Sequence, residues 1–232
     1  CCLRCLNICT AYAADSGDLK SLVLNTPDPE VISRTSWGAD ESYRYLADKN
    51  SEPLLVQLDP DFYDKYANEL QYSRIVEADE QGNNYKWSLQ YPEKVEKIVI
   101  HHTAGAANLD NPKQAIRDIY HYHAITRGWG DIGYNYLIDP HGRIYEGRAG
   151  GESVVGAHAG KSNVGSMGIS ILGNYEKSDI LQTALVSLMR LIGEKAKIHG
   201  IDPDGSSIFR GENTKNILGH RDVMSTSCPG QH

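Results

Sequence analysis

The sequence predicts a mixed α/β domain, a central β-sheet flanked by α-helices, and three observations carry that prediction. VEKIVIHH (residues 95–102) is a β-branched, apolar run of strand length that ends in two histidines. Two stretches, 111–128 and 178–200, repeat their apolar residues at helical spacing. Between them lie short strand-like segments separated by glycine-bearing turns.

Taken in chain order, residues 14–33 are polar and proline-bearing and read as a linker. SRTSWGADESYRY (33–45) reads as a turn followed by an extended segment, and PDFYDKYANELQYSR (60–74) has weak helical spacing. QGNN (81–84) is a turn signal between SRIVEAD and YKWSLQY, so a hairpin is expected there. In the first helix Asn111 can cap, and Pro112 sits where a missing N–H does no harm. Ile116, Ile119 and His123 share a face, and Gly128 stops the helix. GYNYLID, RIYEG, SVVGAH and GISILG follow as four strand candidates. The second helix spans 178–198, with Ala184, Leu188, Leu191 and Ile192 on its apolar face and Gly200 just past its end.

The chain has 232 residues, enough for one ordinary domain with an extension. Its net charge is -7 and it contains no block of lysine and arginine, which argues against nucleic acid or an anionic membrane as the main partner. No apolar run is long enough for a transmembrane helix. The front end crowds Cys1, Cys2, Cys5 and Cys9 ahead of AYA, an A-x-A pattern of the kind signal peptidase cuts after. Residues 1–30 are therefore read as an export-signal remnant and linker, with a disulfide cluster or a lipid-modified cysteine as alternatives. A metal knot is the weakest reading, because no second ligand pair follows at zinc-finger spacing.

The remaining cysteine, Cys228, stands eight positions after His220. A catalytic zinc takes three nitrogen or sulfur ligands and keeps a position for water. His101 and His102 at a rigid strand end, His220 and Cys228 could supply such a set, and spacing alone does not choose between the two adjacent histidines. The bland alternative is a buried thiol and ordinary polar histidines. No H-E-x-x-H helix is present, GRAGG (147–151) lacks the lysine and helix of a phosphate loop, and no third group identifies a Cys–His nucleophile pair.

IVIHHTAG, RGWGDIGYNYLID, GRIYEGR, GAHAGKSNVGSMGISILGNY and GHRDVMSTSCPG, in that order and spacing, resemble the peptidoglycan recognition protein / type 2 N-acetylmuramoyl-L-alanine amidase family. VISRTSWGAD resembles that family's entry segment, so the likeness runs over about 31–230. It implies the zinc amidase fold, one Zn2+ ion, and an open groove for a glycan-peptide substrate, peptidoglycan or a muropeptide. The implied reaction is hydrolysis of the amide between the lactyl group of muramic acid and the L-alanine of the stem peptide. The alternative within the same family is a non-catalytic muropeptide-binding module. Carried over position by position, the metal ligands fall on His101, His220 and Cys228, and the catalytic positions on Tyr134 and Thr226. Thr226 brings a hydroxyl where some relatives carry a lysine.

His158 and Asn163 match positions that line the substrate groove in the family, and Thr103, Trp129 and Arg148 are further candidates for that groove. His102 is assigned to the opposite face of its strand, His121 and His123 are assigned structural roles, and Asp222 is assigned to fixing the loop or a ligand's second nitrogen. The resemblance further implies a domain over 31–232 with an insertion at about 40–91, and a secreted or cell-envelope location. A further helix is expected beyond Cys228, whereas this sequence ends at His232, so the expectation is either a fragment or a domain without that terminal element.

Overall fold

The computed structural model describes residues 30–47, 72–105 and 110–231; the expected signal remnant and most of the 60–74 segment lie outside them. The strands are β1 (Val31–Ile32), β2 (Tyr72–Ala78), β3 (Asn84–Pro92), β4 (Lys97–His102), β5 (Tyr136–Ile138), β6 (Ile144–Glu146), β7 (Ser166–Ile171), β8 (Ser206–Phe209), β9 (Glu212–Lys215) and β10 (Ile217–Gly219). The α-helices are α1 (Arg34–Trp37), α2 (Pro112–His121) and α3 (Gln182–His199). Six strands form a mixed sheet in the order β1-β6-β5-β7-β4-β10. Only the β5–β6 pair in it is antiparallel. The expected α/β architecture is thus the observed one.

Helices cover both faces of the sheet, which is why its central strands are buried on both faces and carry apolar runs such as 98–100 of β4. On one face Ile98, Ile138 and Ile169 pack with Ala184, Leu188, Leu191 and Ile192 of α3. On the other, Leu137, Tyr145 and Leu172 pack with Trp37 of α1 and Ile116 and Tyr120 of α2. Alternation along β4 sends Ile98 and His102 toward the α3 face and His101 toward the α2 face.

The local chemistry of the helices matches their sequence signals. The Asn111 side chain accepts the Gln114 N–H at 3.2 Å, Pro112 opens α2, and the helix runs on into a π turn over Tyr122–Thr126 before Gly128. Helix α3 ends on Gly200 at φ 66°, a left-handed conformation that suits glycine. It begins at Gln182, four residues later than expected from 178, because Leu181 at the N-cap is extended, with ψ at 141°.

Other expectations are corrected. SVVGAH is not a strand: Val154 is apolar because it packs against Tyr85 and Leu89 of β3, and the Val155 N–H bonds the Gln90 carbonyl at 2.8 Å. SRTSWGADESYRY is no extended segment: it folds as α1, with Ser33 capping, and as a 3₁₀ turn over Glu41–Arg44. The hairpin expected around QGNN is present as β2–β3.

Candidate metal centre

The site assembles at the C-terminal ends of two neighbouring parallel strands, β4 and β10. His101 lies in β4, and His220 follows β10 directly in a 3₁₀ turn, His220–Asp222. Cys228 arrives on the loop beyond. That loop is cross-braced: Met224 N–H bonds the His220 carbonyl at 3.0 Å, Arg221 N–H bonds the Cys228 carbonyl at 2.9 Å, and Asp222 accepts the Gly219 N–H at 2.8 Å. The Thr226 hydroxyl accepts the Cys228 N–H at 3.2 Å.

These braces bring one donor atom each of His101, His220 and Cys228 within 4.8 Å of one another. His101 Nδ1 stands 3.8 Å from Cys228 Sγ. Two ligands of a tetrahedral zinc with ordinary Zn–S and Zn–N bonds are separated by about 3.6 Å, so the pair fits the ion to a few tenths of an ångström. The backbone N–H of His102 points at the same sulfur, 3.3 Å away, and would stabilise a thiolate. Burial pushes the Cys228 thiol up and both imidazoles down, His101 far down with added repulsion from His158 and His220. Neutral imidazoles are the form that binds metal, and a thiol raised in this way gives up its proton when a cation arrives. Two imidazoles and one sulfur therefore fit a zinc ion in number, spacing and protonation.

His102 stays out of this set. Its Nδ1 accepts the Tyr175 N–H at 3.2 Å on the other side of the sheet. Tyr134 lies beside the donors, its ring centroid 5.2 Å from that of His101, and burial pushes its phenol up to about 12. A row of rings continues outward from it: Tyr134 to His123 at 5.5 Å, then His123 to Trp129 at 4.8 Å. Thr103, Asp118, Ile119, Tyr122, His123 and Tyr134 line a cleft of about 300 Å³ that reaches the site through Tyr134.

The residues assigned to a groove divide between cleft and interior. Thr103 is at the cleft, its hydroxyl accepting the Gly173 N–H at 3.0 Å, and Trp129 is half-buried one ring away. Arg148, by contrast, is interior. It donates to the carbonyls of Ile132 and Trp129 and lies over the Trp87 ring, and burial lowers its guanidinium to about 10. The physical reason is its position after β6, where the chain turns under the β2–β3 hairpin. His158 and Asn163 are also buried, His158 against His101 rather than along the cleft. Thr226 is exposed and its hydroxyl serves the ligand loop.

Two residues that sequence reasoning missed matter here. His123, assigned a structural role, does brace the chain, since Nδ1 accepts the Gly133 N–H at 3.1 Å, but its ring also lines the cleft. It lies in the π turn that follows α2, and such turns recur at functional sites, but no pattern in the sequence announces it. Met224 Sδ sits 3.1 Å from His220 Nε2, and of the two roles expected for Asp222 the first is seen: its carboxylate fixes the loop by accepting the Gly219 N–H.

A family model described as N-acetylmuramoyl-L-alanine amidase matches residues 91–231. Peptidoglycan-recognition protein SC1a of Drosophila melanogaster is 34% identical over 160 residues, 68% of this chain and 80% of that protein. Peptidoglycan recognition protein-LE, solved in complex with tracheal cytotoxin, superposes with a TM-score of 0.56 at 28% identity, covering 87% of this chain and 88% of that one. N-acetylmuramoyl-L-alanine amidase LysC from Clostridium intestinale superposes with a TM-score of 0.50 at 30% identity, over 61% and 80%. The family match takes in more than half of the chain and contains all three donors, and on these grounds the chain belongs to the peptidoglycan recognition protein / type 2 N-acetylmuramoyl-L-alanine amidase family.

Proposed function

We propose that the protein is a zinc-dependent N-acetylmuramoyl-L-alanine amidase that cleaves the amide between the lactyl group of muramic acid and the first alanine of the stem peptide. The observation that carries this reading is the convergence of His101, His220 and Cys228 donor atoms within 4.8 Å beside a cleft that shares Tyr134 with them. His101, His220 and Cys228 would hold the zinc ion, which would supply Lewis-acid chemistry at neutral pH.

The chain's own groups do the rest. The Tyr134 phenol, kept protonated by burial, is a hydrogen-bond donor for the oxygen that gains charge as the amide carbon becomes tetrahedral. Thr103, His123 and Trp129 offer the polar edges and flat rings that suit a glycan-peptide lying in an open cleft, consistent with the muropeptide bound by the LE relative. Thr226 holds the Cys228 backbone and so acts through the ligand loop. The same reading treats 31–232 as one amidase domain with 40–91 as an insertion, of which β2 and β3 are the larger described part, and places the protein outside the cytoplasm.

The test is incubation with muramyl peptides, with and without chelator, followed by mass spectrometry. Intact stem peptide should be released, and chelator, His101→Ala or Cys228→Ala should abolish release in folded protein. Several relatives are named as recognition proteins, which favours a second reading, a muropeptide receptor. Tight muropeptide binding with no release by the zinc-loaded wild type would select it.

A further inference from the structure

We infer that His158, itself held by Asn163, fixes the tautomer and ring orientation of His101; the inference rests on the proposed metal centre. His101 turns Nδ1 toward Cys228 and Nε2 toward His158, whose Nδ1 is 3.0 Å away. A ring nitrogen that gives its lone pair to a metal carries no proton, so a neutral His101 bound through Nδ1 carries its proton on Nε2. That proton points at His158 Nδ1, which must then be the acceptor. Metal-binding histidines usually give their second N–H to a carboxylate, a backbone carbonyl or water. In this chain a second imidazole stands in that place.

The surroundings of His158 are built to hold it there. A Cβ on Gly168 would lie 2.6 Å from Cγ and Cδ2 of the His158 ring, and one on Gly156 would lie 2.6 Å from Cδ2. Glycine at both positions lets the ring lie flat on β7, and β7 in turn blocks it from swinging away. The Asn163 side-chain oxygen accepts the N–H groups of His158 at 2.9 Å and Ala159 at 2.6 Å, which sets the backbone approach. With Nδ1 as the acceptor the His158 proton sits on the buried Nε2, which makes no bond of standard geometry among the described residues, and the Ser166 backbone is the neighbour that draws a proton to this ring. Asn163, His158 and His101 thus form a short relay of position ending at the donor atom. His158 and Asn163 act in it as positioning residues.

The test has two arms. In metal-free, histidine-labelled wild type, nitrogen NMR should show a coupling across the hydrogen bond between His101 Nε2 and His158 Nδ1, with the proton on His101. In cobalt(II) titrations against a competing chelator, His158→Ala should weaken binding about 10- to 100-fold, and His158→Gln, which restores an acceptor oxygen, should recover most of it. His101→Ala serves as the reference for loss of a ligand.

Wild-type cobalt affinity in folded His158→Ala, with binding lost in His101→Ala, would overturn the role of His158 and leave the metal centre standing. A wild type that binds no cobalt would overturn the metal centre and this role with it. A proton residing on His158 Nδ1 would also overturn the role, and that arm decides the matter if His158→Ala does not fold.

Discussion

Lys97 offers the sharpest test of how the two ligand-bearing strands are held together. It lies in β4 with 0% of its surface exposed, and its ammonium nitrogen has five oxygens within 3.2 Å: the carbonyls of Ser207, Thr214 and Lys215, the Ser207 hydroxyl and the Asn216 side-chain oxygen. An ammonium has three protons, so three of these contacts are full hydrogen bonds at any moment. Charge-assisted bonds contribute about 1.5–3 kcal/mol each, which bounds the loss in Lys97→Met at about 4.5–9 kcal/mol. Residues 206–215 are largely exposed, so their carbonyls can turn to water and the loss falls toward the lower bound, about 4.5 kcal/mol. At about 2–4 °C per kcal/mol for a domain of this size, Tm should drop by about 9–18 °C in scanning calorimetry. A drop below about 3 °C would mean that the cage contributes little and that β10 is held beside β4 by other contacts.

Three further outcomes are expected. Tyr134→Phe should cut kcat by about 10²–10³-fold while leaving zinc content unchanged, and undiminished turnover would remove the phenol from the chemistry. His123 is held neutral by burial, its pKa lowered to about 4, so the unfolded chain binds more protons than the folded one between that value and the ordinary histidine range. Its stabilisation, present in full above about pH 6.5, should fade as pH falls toward 4, amounting to roughly 3 kcal/mol; the Tm–pH curve of His123→Gln should be flatter than that of wild type, and parallel curves would refute the assignment. Gly133→Ala would drive a methyl group into the Ala157 carbonyl oxygen and should cost more than about 2 kcal/mol in urea unfolding, with the neighbouring Tyr134 disturbed as well.

Much of this was legible in the sequence because its signals were periodic or punctuated. The β-branched run of β4, the Asn-Pro start of α2, Gly200 after α3 and the QGNN hairpin each state their own conformation. What escaped reading depends on packing. Val154 and Val155 look like strand residues because burial under a hairpin and burial in a sheet demand the same side chains. The β8–β9 hairpin is polar and exposed, so it carries no alternation, and Val31–Ile32 and Ile217–Gly219 are too short to show a period. At the site, spacing offered His101, His102, His220 and Cys228, and the resemblance chose three of them. Strand alternation in the fold then accounts for the fourth. The interior placing of Arg148 and the contact of Met224 with His220 depend on which loops meet, and no local pattern announces that.

His101 and Cys228 stand 127 positions apart, and only the assembled sheet brings them side by side. Joining two points so distant along a free chain costs roughly 4 kcal/mol in loop entropy, a cost that the folded scaffold has already met before any cation arrives. Unfolding therefore leaves these three donors no comparable cage. A cation at a hundred times its dissociation constant would favour the native state by about 2.7 kcal/mol, so melting temperature and occupancy of the centre should rise and fall together.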